Sequence, residues 1–161
     1  MTRAYVGIGS NVDAERHILM AVQALRGHFG ALALSPIYRN QAVGFEGDDF
    51  LNGVAGLDTD LEVPALKAAL DEIESGCGRQ RGAARFAPRT LDLDLLLYGA
   101  RVDTTAKLPR EDILRYAFVL KPLADIAAAE RHPATGRTYA QHWVEFQGEG
   151  VAAQAVSLPG L

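Results

Sequence analysis

Cysteine is nearly missing from this 161-residue chain, with Cys77 its single occurrence. One thiol excludes an internal disulfide and a cysteine-rich zinc site, and it fits a reducing compartment, so a cytoplasmic location is expected. Positive charge is also in deficit. Sixteen Lys and Arg stand against 20 Asp and Glu, giving a net charge of −4 and a pI near 5.5. That balance argues against a surface made for nucleic acid. No apolar run is long enough to cross a bilayer, and the short one at residues 4–8 is too brief for a signal peptide, so no membrane partner is expected. Repeats, low-complexity tracts and linkers are lacking as well. The four histidines share no metal-ligand spacing. Gly7-Ile8-Gly9-Ser10-Asn11 lacks the lysine and spacing of a P-loop and does not make a dinucleotide fingerprint; it reads as a tight turn.

What is present is enough apolar residue, 48%, for one compact core, so residues 1–161 are expected to form a single domain and to act as a monomer. Residues 4–8 read as a first strand ending at Gly9-Ser10-Asn11. Ile18, Val22, Leu25 and Phe29 fall on one helical face and predict a helix over 13–28. A second extended segment is expected over 32–40 and a third over 50–57, with a Gly- and Asp-rich loop at 41–49. Pro64, the stripe Leu66, Leu70, Ile73 and the glycines 76 and 78 predict a second helix. Thr90 to Gly99 reads as a central strand. Beyond it come short helical turns around Pro109 and Pro122, a helix near 138–146 and a last strand around 151–157. The order strand, helix, two strands, helix, strand is that of a split βαβ sandwich: an α+β fold with a mostly antiparallel sheet, helices stacked on one face and the other face left for ligands.

Chemistry concentrates in one stretch. Asp92 and Asp94 are two apart on the predicted strand, so both carboxylates project from one face, about 7 Å apart at the backbone, and can converge on hard cations. Magnesium together with phosphate oxygens is the fitting ligand set. For an arbitrary D-x-D, two solvent-facing residues on a half-buried strand would be the commoner reading. Here Arg79, Arg81, Arg85 and Arg89 lie within eleven residues just upstream, with no acid from Cys77 to Leu91. Guanidinium groups match phosphate oxygens two at a time and keep their charge, so arginines beside paired acids suit a metal-bridged polyphosphate such as a nucleoside triphosphate.

The run Phe86-Ala87-Pro88-Arg89-Thr90-Leu91-Asp92-Leu93-Asp94-Leu95-Leu96-Leu97-Tyr98-Gly99 closely resembles the signature of the 6-hydroxymethyl-7,8-dihydropterin pyrophosphokinase family of folate biosynthesis. The likeness extends over the chain through Gly7 to Asn11, Tyr38-Arg39, Val43-Gly44, Phe50-Leu51-Asn52, Arg79-Gln80-Arg81, Ala117-Phe118-Val119-Leu120 and Pro122-Leu123. It implies a ferredoxin-like αβ sandwich that transfers the β,γ-pyrophosphate of ATP to a pterin hydroxymethyl group, releasing AMP, with two magnesium ions and with mobile loops over the site. By position it implies Asp92 and Asp94 as metal ligands and, with Arg79 and Arg89, as catalytic groups. It implies Asp71, Glu74, Arg79, Arg81, Arg89, Leu95, Lys107, Arg110 and Tyr116 on the ATP side. On the pterin side it implies Asn40, Gln41, Val43, Phe50, Asn52, Phe86 and Phe118, with Asn52 reading the amide edge of the ring.

Some positions depart from the family pattern. Phe86 stands for a tryptophan, Asn40-Gln41 for Thr-Pro, Arg110 for a histidine, Lys107 for a threonine and Tyr116 for an arginine. They keep or raise the positive charge and bear on ATP affinity and on the acceptor. The alternative is therefore a diverged relative that binds ATP or a related pterin with an altered substrate or little catalysis. A small ferredoxin-like interaction or RNA-binding domain is a further alternative, against which the acidic pI and buried-looking strands speak. Residues 79–89 are expected to become ordered when ligand binds.

Overall fold

The computed structural model describes residues 1–40, 49–77, 91–148 and 154–161. Their elements are β1 (Thr2–Ser10), α1 (Ala14–Phe29), β2 (Ala33–Leu34), β3 (Ile37–Asn40), β4 (Phe50–Thr59), α2 (Val63–Gly76), β5 (Asp92–Tyr98), α3 (Asp112–Arg115), α4 (Ala117–Ala127), α5 (Tyr139–Val144) and β6 (Gln154–Val156). The sheet has the order β5-β1-β4-β3-β6, with β2 also on β4, and every pairing is antiparallel. α1 carries the chain from β1 past β4 to β3, and α2 carries it from β4 past β1 to β5. This is the split βαβ arrangement of an α+β, ferredoxin-like sandwich, as the sequence implied.

β1 is central. It pairs with β4 from Thr2↔Thr59 to Ser10↔Leu51 and with β5 from Ala4↔Tyr98 to Gly9↔Asp92. Alternation then sorts its side chains between two layers. Ala4, Val6 and Ile8 meet Ile18, Val22 and Leu25 of α1 and Leu66, Leu70 and Ile73 of α2. Tyr5, Val54 and Leu96 meet Leu120 and Leu123 of α4 and Tyr139 of α5. The register shift between Tyr5 and Val6 sends both Leu96 and Leu97 into this second layer and returns Tyr98 to the first. Helices were expected on one face only. The correction is that α4 and α5 cover the second face around Tyr5, because the apolar residues Val54, Leu96 and Leu97 need burial there.

Three local expectations also change. The strand read as central, β5, lies at the end of the strand order, with β1 its one neighbour among the described strands; its apolar run is buried because Leu93 and Leu95 face the first core and Leu96 and Leu97 the second. β1 does not stop before Gly9-Ser10-Asn11 but runs to Ser10, since β4 and β5 take up its backbone groups on both sides and override the turn preference of Gly and Ser. Pro122 does not break the chain into turns but lies inside α4. The missing hydrogen bond costs about 3 kcal/mol, which burial of Val119, Leu120 and Leu123 at about 1.5–3 kcal/mol each offsets. The expected strand start at residue 151 lies outside the described residues.

Candidate active site

The register places the candidate residues in a row. Gly9 is paired on one side with Asp92 and on the other with Asn52, and Gly7 is likewise flanked by Asp94 and Val54. Asn52 is paired in turn with Tyr38, and Phe50 with Asn40. Directly paired residues point to the same face, so Asp92, Asp94, Phe50, Asn52 and Asn40 share the second face, at the end of the sheet beyond Tyr5. Between the acids and Asn52 the floor is bare backbone. A Cβ on Gly9 would stand 2.9 Å from Asn52 Nδ2.

Asn52 is held in one orientation. The buried Asn40 donates through Nδ2 to Asn52 Oδ1 at 3.2 Å and to the Tyr38 carbonyl at 3.4 Å. A backbone carbonyl only accepts, so Asn40 must present its NH2 group, and Asn52 must answer with its oxygen. The Asn52 NH2 is thereby turned over Gly9, able to donate to an acceptor on a bound ring. No sequence signal links Asn40 to Asn52, because their contact depends on the β3–β4 register.

On the other side of β1, Asp92 and Asp94 are half-buried on β5. Arg110 sits beside them, with Nη2 3.8 Å from Asp94 Oδ1 and Nε 3.2 Å from Asp112 Oδ2. Its backbone N–H donates to Leu96 O at 3.0 Å, which ties this segment to β5. Burial works against the Arg110 charge, but Asp94, Asp112 and Asp92 outweigh it and hold the guanidinium above its usual value. Asp112 was not foreseen, although its spacing of two from Arg110 was visible.

The remaining candidates are more dispersed. Phe118, at the start of α4, stacks on Tyr116 with ring centroids 4.9 Å apart. Lys107 is exposed with a left-handed φ of 57°. Asp71 is exposed on α2, and Leu95 is buried in the first core, so neither side chain joins the acids on the second face. Glu74 is 4% exposed, and its Oε1 accepts from Leu93 N at 2.7 Å. Arg79, Arg81, Arg85, Arg89, Gln41, Val43 and Phe86 lie outside the described residues.

Residues 5–128 match the profile of the 7,8-dihydro-6-hydroxymethylpterin-pyrophosphokinase family. The chain belongs to this family. Pyrophosphoryl transfer from ATP to hydroxymethyldihydropterin, in folate biosynthesis, is the activity of its members. Among similar proteins, the 2-amino-4-hydroxy-6-hydroxymethyldihydropteridine pyrophosphokinase of Pseudomonas aeruginosa is 41% identical over 143 residues, 81% of this chain and 84% of that protein. Its namesake in Methylorubrum extorquens is 41% identical over 133 residues, covering 79% and 84%. That of Bacillus subtilis is 36% identical over 138 residues, covering 82% of each. The family match runs through Phe86, Lys107, Arg110 and Tyr116, so these departures fall within a segment that the profile recognises.

Among the described residues no set of three His, Cys, Asp or Glu side chains is grouped as a metal cage. A pair of carboxylates on one strand still fits magnesium, which is commonly bound by one or two carboxylates and completed by water and substrate phosphates. No helix among the described residues is long and apolar enough to cross a membrane.

Proposed function

We propose that this chain transfers the β,γ-pyrophosphate of ATP to the hydroxymethyl oxygen of 6-hydroxymethyl-7,8-dihydropterin, with Asp92 and Asp94 holding two magnesium ions. The observation that carries this reading is the pairing of Gly9 with Asp92 on one side and with Asn52 on the other. It puts two carboxylates and an amide on either side of a bare backbone floor, which supports cation binding on one side and recognition of a heterocycle on the other. Magnesium bound there would neutralise phosphate charge and lower the pKa of the attacking alcohol.

The chain's own side chains do the positioning. Asn52 donates to the ring edge, and Phe50 and Phe118 supply apolar contact. Asn40, Gln41, Val43 and Phe86 complete the pterin side. Arg110 keeps a fixed positive charge beside Asp94, where phosphate charge would arrive. Arg79, Arg81 and Arg89 contact the polyphosphate, and Lys107 and Tyr116 border the nucleotide. As the bond from the hydroxymethyl oxygen to Pβ forms, the bond from Pβ to the oxygen bridging toward Pα breaks. AMP leaves with that oxygen, and the alcohol proton passes to Asp92 or Asp94 and then to solvent. No strong base is needed, since orientation and charge neutralisation supply most of the acceleration in such transfers. The same reading makes residues 1–161 one domain, acting as a cytoplasmic monomer without nucleic-acid or membrane partners.

The test is product analysis. Purified protein with ATP, magnesium and 6-hydroxymethyl-7,8-dihydropterin should yield AMP and pterin diphosphate in equal amounts. Release of ADP, or AMP formation that does not depend on the pterin, would overturn the reading.

A further inference from the structure

Glu74 occupies the last turn of α2, in line with the apolar stripe Leu66, Leu70, Ile73 and Cys77 that packs into the first core. A carboxylate 4% exposed in such a stripe carries a desolvation cost that a leucine there would not. One of its partners is a main-chain amide of β5. Among the described strands β5 is the last of the sheet order, paired on one side with β1. Along an antiparallel edge strand, alternate N–H groups point to the neighbour and away from it. The amide of Leu93 points away, and Glu74 Oε1 accepts it at 2.7 Å. Alternation then turns the amides of Asp92 and Asp94 toward their β1 partners Gly9 and Gly7.

From this geometry we infer that Glu74 is a positioning residue, which pins the edge of β5 that faces away from β1, at the one residue lying between the two carboxylates. β1 holds β5 from one side through Asp92 and Asp94, and Glu74 holds it from the other through Leu93. A strand pinned on one side only can twist or fray at its end, and each displacement moves both carboxylates. Gripped from both sides, Asp92 and Asp94 keep a fixed separation and aim, the condition for gathering cations without reorganisation. Glu74 thus acts on the two carboxylates through β5. The inference rests on the metal role proposed for Asp92 and Asp94.

Two substitutions separate this role from others. Glu74→Leu keeps the volume and removes the acceptor, whereas Glu74→Gln keeps an acceptor oxygen within reach of Leu93. Three quantities are measured on the full-length protein: amide hydrogen exchange at Leu93, Mn2+ affinity by electron paramagnetic resonance in the presence of a nonhydrolysable ATP, and the Mg2+ concentration giving half-maximal AMP release. Glu74→Leu should speed exchange at Leu93 by about tenfold or more. It should weaken metal binding by about 10- to 100-fold, the usual effect of losing a group that orients a ligand. Glu74→Gln should stay within about threefold of wild type in all three, a rescue not expected of a charge contact to a ligand. Weakened Mn2+ binding with unchanged exchange at Leu93 would overturn the proposal and make Glu74 a direct ligand contact. Faster exchange with unchanged metal affinity would overturn it too, by leaving a purely structural bond. Exchange at Leu93 does not depend on turnover, so an inactive wild-type protein would sink the proposed reaction and leave the pinning of β5 open to measurement.

Discussion

The bare floor between the acids and Asn52 can be filled by a single methyl group. Gly9 is not among the glycines with positive φ, so G9A meets no backbone strain. Its new Cβ would, however, lie 2.9 Å from Asn52 Nδ2, about half an ångström inside ordinary contact. The backbone here is gripped on both sides by β4 and β5, so the Asn52 side chain is what yields. It can do so only by stretching or breaking its 3.2 Å hydrogen bond from Asn40. Loss of that neutral bond costs about 0.5–1.5 kcal/mol, and the lower chain entropy of unfolded Ala returns about 0.4–1 kcal/mol. Global stability should therefore move by less than about 1 kcal/mol. Pterin binding should suffer much more, because a reading group shifted by a fraction of an ångström no longer meets its acceptor, an effect that reaches about 100-fold for larger displacements. We expect KM for the pterin to rise about 10- to 30-fold, with KM for ATP and the urea midpoint little changed. Gly7→Ala is the control, since its Cβ would meet Leu96 Cδ2 at an ordinary 3.5 Å. Steady-state kinetics with each substrate varied in turn decides the matter. If G9A keeps wild-type KM for the pterin, Asn52 does not read the ring from the place assigned to it.

Three further outcomes are expected. Asp94→Ala should abolish AMP release yet cost less than about 1 kcal/mol in urea unfolding, because its pair with Arg110 is a 3.8 Å contact with a side chain 45% exposed; a large loss of stability would refute the placement of Asp94 outside the core. The hydroxyl of Tyr139 is buried without a hydrogen-bond partner among the described residues, so Tyr139→Phe should raise stability by about 1 kcal/mol or more, and a lowered Tm would show that an ordered water satisfies it. His132 is buried, and its Nδ1 accepts from the amides of Ala134 at 3.1 Å and Thr135 at 3.3 Å. Burial and the neighbouring His142 lower its pKa, so the folded state resists the proton that the unfolded state takes up. Stability should be intact above the ordinary histidine value of about 6.5 and fall as pH drops below it, by up to about 1.4 kcal/mol per pH unit; urea midpoints that stay flat from pH 7 to 5.5 would contradict this.

The parts of the fold that could be read from sequence are those written in local periodicity. Ile18, Val22 and Leu25 mark the buried face of α1, and the alternation of Leu91 to Leu95 marks β5 with its acids outward. What escaped depends on neighbours distant in the chain. Gly9 and Ser10 look like turn residues until β4 and β5 enclose them, and Pro122 looks like a break until the second core layer holds α4 together. The paired acids stood out because they are two residues apart. The hydrogen bond between Asn40 and Asn52 did not, because twelve residues and a register separate them. Glu74 could be placed at the site by resemblance, but its bond to Leu93 arises only when α2 packs beside β5.

Because Gly9 has Asp92 as neighbour on one strand and Asn52 on the other, the span from the paired acids to the amide is two inter-strand steps, about 10 Å. That length is set by main-chain hydrogen bonding and not by the reach of any side chain, so under the proposed function it acts as an internal ruler for the two substrates. Changes on β3 and β4 can alter which heterocycle is accepted without altering the span, which makes the two halves of the floor separable targets for redesign.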